Sequence, residues 1–406
     1  MTQTPARRIP IPRWLDAPSI TRLLNLLGEA RFVGGAVRDT LLGRDVGDLD
    51  LATPLTPDAV MRRLEAGHIK VVPTGLSHGT VTAVLEDRSV EITTLRRDVE
   101  TDGRHAVVAF TDDWGEDARR RDFTMNALYL DRNGDLWDPL GTGIDDAQAG
   151  RVRFVGDAGA RIEEDSLRIL RFYRFQAHYG IVPVERETRL ACCRRAGALG
   201  QLSGERIRAE IFKLLQAENP LPSLTALVED AIWRRIGLPE PVALNRLARL
   251  LRHDGEPDAL RRLASLLKGG VTETIMRLRL SNEEAERLHA LVSGTIPEWN
   301  AGVVAHHRVL YDYGRRYYRD LALLAVSRGR DPGPLAVHLA EAARWPIPTL
   351  PIRGRDLITL GLTPGPVVSD TLRQVETWWA ESDFSADYHA CLDHARRILA
   401  NRDLTG

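Results

Sequence analysis

The sequence predicts an α+β protein in which a mixed sheet with helices comes first and an all-α remainder follows. Three observations support this prediction. Up to about residue 150, short apolar strand-like runs alternate with helical stretches. After Gly159 the chain becomes a succession of amphipathic stretches separated by glycine and proline. The length of 406 residues is too great for one compact core and indicates several modules.

The N-terminal elements follow from the spacing of apolar residues. Alternating or continuous apolar runs predict strands at 31–33, 71–72, 80–85 and 90–94. A helix is predicted over 57–66, where apolar residues recur every three to four positions. Asn133-Gly134 stands between two apolar runs and is typical of a type I′ hairpin turn.

The C-terminal elements are all predicted to be helices. Apolar residues recur with helical spacing over 163–178, 204–216, 221–235, 282–291 and 335–344. A proline-rich break at 345–351 and a turn at 363–366 separate a final segment.

Composition excludes some classes of protein. Net charge is −1, and the basic residues are 55 − 3 = 52 arginines and three lysines, so any surface that binds RNA must be a local patch. No apolar run of eighteen residues is present, and no membrane span is expected. The cysteines (Cys192, Cys193 and Cys391) lack metal-ligand spacing and cannot form a disulfide framework, which favours buried thiols and a cytoplasmic protein. Nothing indicates an obligate protein partner.

Gly34 and Gly35 form a turn between the strand at 31–33 and a helix that is expected to end near Gly43. Glycine allows the backbone to approach a phosphate closely, and the start of a helix offers unpaired N–H groups to it. Arg38 adds a fixed positive charge one turn into that helix. The alternative is a simple turn without a ligand.

Asp48 and Asp50 follow shortly after this turn. In a strand both would project from one face while Leu49 and Leu51 enter the core. Two adjacent carboxylates repel each other unless a cation lies between them, and Mg²⁺ completed by substrate phosphates is the expected ion. Two such ions are typical of nucleotidyl transfer. Glu91, on a neighbouring strand, is a candidate third ligand, although an exposed residue or an arginine partner would fit the sequence as well.

Arginines and polar residues cluster again at 119–127. Asp122 is predicted to cap a helix that Arg120 and Arg121 open. The two arginines suit bidentate binding of a triphosphate. Asp122 or Asn126 could accept a hydrogen bond from a ribose hydroxyl. The alternative is a capped helix with solvated arginines.

Asp165 and Arg168 are predicted to share a face of the helix over 163–178, with Arg171 and Arg174 continuing the row. Cytosine and adenine each present an amino donor beside a ring-nitrogen acceptor, whereas uracil and guanine present the reverse pattern. A carboxylate paired with a guanidinium would therefore accept C or A and mismatch U and G. An intrahelical salt bridge is the alternative.

Taken together, these motifs resemble the class II tRNA nucleotidyltransferase and bacterial poly(A) polymerase family of the polymerase-β superfamily. The resemblance is specific over about residues 30–215 and is weaker beyond. It rests on Gly34-Gly35-x-x-Arg38-Asp39, Asp48-x-Asp50, Arg120-Arg121-Asp122-Phe123-Thr124-x-Asn126-Ala127, Asp138-Pro139-x-Gly141, Glu164-Asp165-x-x-Arg168 and Gly204-Glu205-Arg206-Ile207-Arg208-x-Glu210.

The resemblance implies a polymerase-β-like head (1–150), a neck (151–218), a helical body (219–345) and a helical tail (346–406). It implies template-independent addition of C, C and A from CTP and ATP to the 3′ end of tRNA. Asp48 and Asp50 would hold Mg²⁺, while Gly35, Arg38 and Arg121 would contact the nucleotide. Asp165 and Arg168 would recognise the base, helped by Arg171 and Arg174. Residues 96–105, a polar loop by sequence, match the position of a flexible loop linked to the change from C to A.

Other activities remain open at this stage. A poly(A) polymerase would share every catalytic motif, but the basic extension expected after the first motif is missing, because residues 42–47 lead straight into Asp48. A CC-adding enzyme, an A-adding enzyme and a non-catalytic RNA-binding module are further alternatives. Arginines of the helical half are candidates for contacts with tRNA phosphates, namely Arg194, Arg195, Arg206 and Arg208, and a solvated helix face is the alternative for each.

Overall fold

The computed structural model describes residues 4–101 and 106–403 and confirms the predicted fold class. Strands and helices alternate in the N-terminal part, and after Trp137 the described part of the chain has no further strand. The strands are β1 (Arg7–Arg8), β2 (Arg31–Val33), β3 (Leu49–Thr53), β4 (Lys70–Gly75), β5 (Thr80–Val84), β6 (Ser89–Thr94), β7 (Arg96–Thr101), β8 (Ala106–Phe110), β9 (Tyr129–Leu130) and β10 (Asp135–Trp137).

The helices account for most of the remaining chain. They are α1 (Pro18–Leu27), α2 (Gly35–Leu41), α3 (Pro57–Ala66), α4 (Trp114–Arg119), α5 (Gly143–Ala149), α6 (Ala158–Glu164), α7 (Leu167–Tyr179), α8 (Arg186–Arg195), α9 (Gly204–Leu215), α10 (Leu221–Glu229), α11 (Ile232–Arg235), α12 (Leu244–Leu251), α13 (Ala259–Leu266), α14 (Val271–Leu278), α15 (Asn282–Ser293), α16 (Val303–Arg328), α17 (Leu335–Arg344), α18 (Gly354–Ile358), α19 (Pro366–Glu381) and α20 (Tyr388–Asp403). Short 3₁₀ turns lie at Leu76–His78, Thr124–Asn126 and Ala196–Gln201. None of the described helices has the length and apolar character needed to cross a membrane.

The main sheet brings the candidate site residues together. Among the described residues, eight strands form one sheet in the order β1-β10-β9-β2-β3-β6-β5-β4. Strands β3 and β6 are parallel, and Asp50 lies in register with Glu91. Strand β2 pairs antiparallel with β3 and sets Val33, the last residue before the Gly34 turn, opposite Asp50. The turn and the carboxylates therefore lie at the same place in the sheet.

Three local predictions were wrong. The Asn133-Gly134 hairpin forms, but only Gly134 has a positive φ (80°), because the Asp131 carboxylate accepts hydrogen bonds from the N–H groups of Asn133 and Asp135 and selects a different turn. Much of 96–105 is strand rather than loop, since β7 pairs with β8, while Asp102 to His105 lie outside the described residues. The helix predicted over 221–235 breaks at Ala231, whose φ is +57°.

The cysteines are free thiols, as expected. Cys192 and Cys391 are buried, and Cys193 is half-buried. Burial raises the pKa of the Cys192 thiol to about 12, so it is protonated and unreactive at neutral pH.

The chain divides into two compact units. One comprises Met1–Glu240 and Glu273–Arg279, and the other comprises Pro241–Thr272 and Leu280–Gly406. The first contains the sheet and α1 to α11. The finer division at residues 150, 218 and 345 stays a prediction.

The second unit is held together by a buried network of ion pairs. Asp320 is 1% exposed and accepts hydrogen bonds from Arg261 Nη1 (2.6 Å) and Arg287 Nη2 (2.6 Å). Arg261 Nε also donates to Asp254 Oδ1 at 2.8 Å. Burial opposes the charge of Arg261, but Asp254 and Asp320 hold its pKa above the ordinary value. Removing Asp320 would take one of two carboxylate partners from each arginine, because Arg261 also bonds Asp254 and Arg287 also bonds Asp258.

We expect Asp320→Ala to lower the free energy of unfolding of this unit by about 3 kcal/mol, because two buried guanidinium groups each lose one of their two carboxylate partners. Urea denaturation followed by circular dichroism measures the change. Asp312→Ala in the same unit is the control, since Asp312 is exposed and forms a surface ion pair with Arg308, and its loss should cost less than about 0.5 kcal/mol. Equal effects of the two substitutions would contradict this role for Asp320.

Candidate active site

The Gly34 turn opens the site. Gly34 has φ 71° and ψ −126°, a conformation that side chains disfavour, and it precedes the first residue of α2. A Cβ atom at Gly34 would lie 3.9 Å from Arg121 Nη1, so the Arg121 guanidinium stands directly beside the turn. A helix start and an arginine therefore face the same space, as a phosphate site requires.

The carboxylates lie next to this turn. Leu49 and Leu51 are buried at 2% and 0% exposure, whereas Asp50 is half-buried and Asp48 is exposed, which confirms the predicted alternation. Burial, together with the charge of Glu91, raises the pKa of Asp50, while Arg121 opposes the rise and Asp48 adds to it. These charges therefore lie close enough to influence one another.

The carboxylates beside the Gly34 turn fit the way Mg²⁺ is usually bound. No group of three or more His, Cys, Asp or Glu side chains within residues 4–101 and 106–403 is arranged to hold a metal ion by itself. Mg²⁺ does not require one, because it is commonly bound by one or two carboxylates, with water and substrate phosphates completing its shell. The in-register pair of Asp50 and Glu91, with Asp48 at the strand start, fits that requirement. Whether Glu91 is a ligand stays a prediction.

A buried carboxylate that the sequence analysis missed holds the two arginines. Asp117 is 1% exposed, and its Oδ1 accepts from Arg120 Nε (2.8 Å) and Nη2 (2.6 Å). Its Oδ2 accepts from Arg121 Nη2 (2.9 Å) and the Tyr129 hydroxyl (2.7 Å). Burial alone would raise the pKa of Asp117, but Arg121 and Arg120 hold it well below the ordinary range. The bonds to Asp117 leave Arg121 Nη1 directed toward Gly34. The sequence does indicate this contact, because Asp117 lies three residues before Arg120 and four before Arg121, a spacing at which side chains of a helix meet.

Arg120, Arg121 and Asp122 do not open a helix as predicted. Asp113 caps α4 by accepting from Gly115 N, so the helix begins earlier and ends at Arg119. Asp122 instead accepts hydrogen bonds from Phe123 N (2.8 Å) and Asn126 Nδ2 (2.9 Å) through Oδ1.

A chain of hydrogen bonds connects α2 with α7. Arg38 Nη1 donates to Asn126 Oδ1 at 2.6 Å, Asn126 donates to Asp122, and Arg171 Nε donates to Asp122 Oδ2 at 2.8 Å. Arg38 is only 6% exposed and also bonds Asp39 and the Tyr179 hydroxyl (2.6 Å). The nucleotide contacts predicted for Arg38, Asp122 and Asn126 stay predictions, since in this structure these groups bind one another.

The residues predicted to recognise the base are not on one helix face. Asp165 stands between α6 and α7 with φ −154°, and its Oδ1 accepts from Leu167 N at 3.0 Å. The alternative of an Asp165–Arg168 salt bridge is also not observed. Asp165 Oδ2 accepts from Arg206 Nη2 at 2.8 Å, while Arg168 bonds Glu164 and the backbone carbonyl of Arg120. The predicted shared helix face is wrong because Asp165 has an extended backbone conformation that ends α6, and its side chain accepts from Leu167 N at the start of α7.

Arg171 and Arg174 do lie on one helix, α7. Glu210 on α9 is 5% exposed, and its Oε1 accepts a hydrogen bond from Arg174 Nη1 at 3.4 Å. Its carboxylate also lies 3.2 Å from Arg174 Nε and 3.9 Å from Arg171 Nη1 as ion pairs. The predicted RNA contacts of four other arginines stay predictions. Arg194 is exposed, Arg195 bonds Glu163, Arg206 bonds Asp165, and Arg208 donates to the Arg279 carbonyl at 3.5 Å.

Known proteins are similar to this chain over most of its length. Residues 30–153 match the family described as "Poly A polymerase head domain", and residues 182–241 match "Probable RNA and SrmB- binding site of polymerase A". A CCA tRNA nucleotidyltransferase 1, mitochondrial, of Danio rerio is 34% identical over 373 residues, covering 88% of this chain and 84% of the relative. A CCA-adding enzyme of Geobacillus kaustophilus is 33% identical over 382 residues, covering 89% and 91%. The crystal structure of the Bacillus stearothermophilus CCA-adding enzyme in complex with CTP has a TM-score of 0.76 and 27% identity, over 96% of this chain and 100% of that one.

This chain belongs to the class II CCA-adding enzyme and bacterial poly(A) polymerase family. The predicted family is thereby confirmed, and so is the prediction that the protein is a nucleotidyltransferase enzyme. Members of this family generally use divalent metal ions, which agrees with the carboxylates at the Gly34 turn.

We expect Asp117→Asn to lower kcat/KM for nucleotide incorporation by about ten- to a hundredfold, because Arg121 loses the charge that fixes its orientation toward the Gly34 turn. Steady-state incorporation assays on protein confirmed to be folded measure this. Glu116→Gln is the control, since this neighbouring carboxylate bonds Thr111 and lies 4.0 Å from Arg97 rather than beside Arg121. If Asp117→Asn retains activity within about twofold of Glu116→Gln, Asp117 does not position the site.

Proposed function

We propose that this protein adds C, C and A from CTP and ATP to the 3′ end of immature or damaged tRNA, without a template. The observation that carries the proposal is the in-register Asp50–Glu91 pair beside the Gly34 turn and Arg121. The relatives named as CCA-adding enzymes cover most of the chain and support the same conclusion.

The residues have distinct proposed roles in the transfer. The 3′-hydroxyl of the tRNA attacks the α-phosphorus of the nucleotide, a new P–O bond forms, and pyrophosphate leaves. Asp48 and Asp50, with Glu91 as a further candidate, would hold two Mg²⁺ ions. Mg²⁺ supplies Lewis-acid stabilisation of the phosphates when it is bound. Gly34, Gly35, Arg120 and Arg121 would bind the triphosphate, with Arg121 Nη1 already directed to the turn.

Base selection is proposed to depend on Asp165 and Arg168. Asp165 would accept from the amino group of C or A, and Arg168 would donate to the adjacent ring nitrogen. The hydrogen bonds from Leu167 N and Arg206 support this role, because they fix the orientation of the Asp165 carboxylate. To bind a base, Arg168 would have to give up its hydrogen bonds to Glu164 and to the Arg120 carbonyl. Arg171 and Arg174 would support the neighbouring turns of the helix.

Poly(A) addition is the second candidate, because both matching families are described as parts of poly(A) polymerases. The direct connection from α2 through residues 42–48 to β3 favours CCA addition, since it leaves no room for a basic extension. Cytoplasmic residence is part of the proposal and is supported by the three free thiols.

The test supplies tRNA lacking its last three nucleotides, Mg²⁺, and CTP, ATP or both, and reads product length at single-nucleotide resolution. We expect two additions with CTP alone and a third only when ATP is also present. A stop after two additions with both nucleotides would indicate a CC-adding enzyme, and a long ladder from ATP alone would indicate a poly(A) polymerase.

We expect Asp48→Ala/Asp50→Ala to reduce turnover by about a thousandfold while tRNA binding persists, because the metal ligands are lost and the RNA surface is not. Asp58→Ala, an exposed residue of α3, is the control and should retain activity. Persistent incorporation by the double variant would contradict the metal assignment. Loss of tRNA binding as well would show that the two aspartates also maintain the fold.

A further inference from the structure

A cavity lies where α2, α7 and α9 meet, separate from the proposed metal ligands Asp48 and Asp50. Its volume is about 240 Å³, and Arg38, Arg174 and Lys213 contribute its charged lining. Lys213 is exposed, whereas Arg38 is buried. The cavity is therefore a pocket with an accessible ammonium group and two guanidinium groups that cannot move far.

Positive charge exceeds negative charge around this cavity. Arg38 is paired with Asp39, and Arg174 is paired with Glu210. Arg44 lies close by, with its guanidinium 4.6 Å from the centre of the Tyr179 ring. Within residues 4–101 and 106–403, no carboxylate pairs with the ammonium of Lys213. The lining therefore holds three cationic side chains, of which Arg38 and Arg174 are paired with carboxylates.

Neighbouring cations affect the pKa values of two lining residues. Burial is the main cause that lowers the pKa of Arg174, Glu210 and Asp122 oppose it, and Arg171 and Arg38 add to it. Burial also lowers the pKa of His178, with Arg174, Arg44 and Arg38 adding to the effect. An anion in the cavity would relieve this repulsion.

His178 fixes the backbone that carries Lys213. Its ring Nε2 donates to the Lys213 carbonyl at 2.7 Å, which joins the end of α7 to α9. The cavity wall is thus held by a hydrogen bond between the two helices.

Arginines already stack on the rings of two aromatic residues of the cavity. Arg38 stands over the Tyr179 ring at 4.0 Å, and Arg174 stands over the Phe175 ring at 4.8 Å. Stacking of a nucleobase needs an uncovered ring. The chemistry of the cavity therefore favours a compact anion over a base.

We propose that this cavity binds a phosphate group, with Lys213 as its exposed contact and Arg38 and Arg174 as its fixed walls. The phosphate can belong to the backbone of bound tRNA or to a free nucleotide or pyrophosphate. The RNA source rests on the proposed function, whereas the anion site itself does not.

Lys213→Gln tests the proposal, and the chain offers matched controls. Only two other lysines are present, Lys70 and Lys268, and both are exposed, so Lys70→Gln and Lys268→Gln remove the same charge elsewhere. The dissociation constant of tRNA lacking its CCA end is measured by fluorescence anisotropy at several salt concentrations. The dissociation constant of CTP and the inhibition constant of pyrophosphate are measured in parallel. Thermal unfolding confirms that each variant is folded.

We expect Lys213→Gln to weaken tRNA binding by about fivefold and to reduce the slope of log K against log salt by about 0.7–0.9, because one phosphate contact is lost. Lys213→Arg should restore both values, and the two control variants should leave them unchanged. Unchanged tRNA binding with weakened CTP or pyrophosphate binding would assign the phosphate to the nucleotide.

Unchanged affinity for tRNA, CTP and pyrophosphate in a folded Lys213→Gln variant would overturn the proposal. Because the readout is equilibrium binding, it does not depend on turnover. Protein that binds tRNA through Lys213 but does not extend it would count against CCA addition and not against the anion site.

Discussion

The hydrogen bonds of Asp122 are the contact on which the candidate site depends. This largely buried carboxylate accepts hydrogen bonds from Arg171 of α7 and from Asn126 of its own turn. The side-chain oxygen of Asn126 in turn accepts a hydrogen bond from Arg38 of α2. Burial alone would raise the pKa of Asp122, but Arg171 and Asn126 hold it below the ordinary value. Because this pKa is lowered, the Asp122–Arg171 ion pair stabilises the folded protein above about pH 4. The stabilisation is lost as the pH falls through the pKa of Asp122 in the folded state. These hydrogen bonds thereby connect α2, which follows the Gly34 turn, to α7, which follows Asp165.

The arginines of the site share a common mode of support. Asp117 fixes Arg120 and Arg121, Asp122 fixes Arg171, and Glu210 fixes Arg174. A guanidinium held by a buried carboxylate needs little reorganisation when a phosphate arrives, and such preorganised charge is the main source of electrostatic stabilisation in enzymes. The cost is that several donors, above all those of Arg38, are already used inside the protein. Their part in catalysis is therefore to position neighbouring groups unless a nucleotide displaces an internal partner.

The sequence predicted those features that follow from local chemistry. Helix α3 was predicted with its observed bounds, and the alternation of Asp48, Leu49 and Asp50 follows from the period of a strand. The parallel register that sets Glu91 beside Asp50 could not be predicted, because register depends on the whole sheet. The break at Asp165 was missed because a side-chain hydrogen bond to Leu167 N competes with helix propagation inside an otherwise periodic pattern. Asp117 was not predicted, because it is buried and contacts Arg120 and Arg121 from the protein interior instead of facing a ligand.

The most direct test of this account is a double-mutant cycle between Asp122 and Arg171, using Asp122→Asn, Arg171→Met and the two combined. The readout is kcat/KM for CTP incorporation on tRNA lacking its CCA end, with folding monitored by thermal unfolding. If the contact joins the two helices into one working site, the single substitutions should each reduce kcat/KM and the double variant should be little worse, a coupling of about 1 kcal/mol or more. Additive losses, with a coupling near zero, would contradict the account.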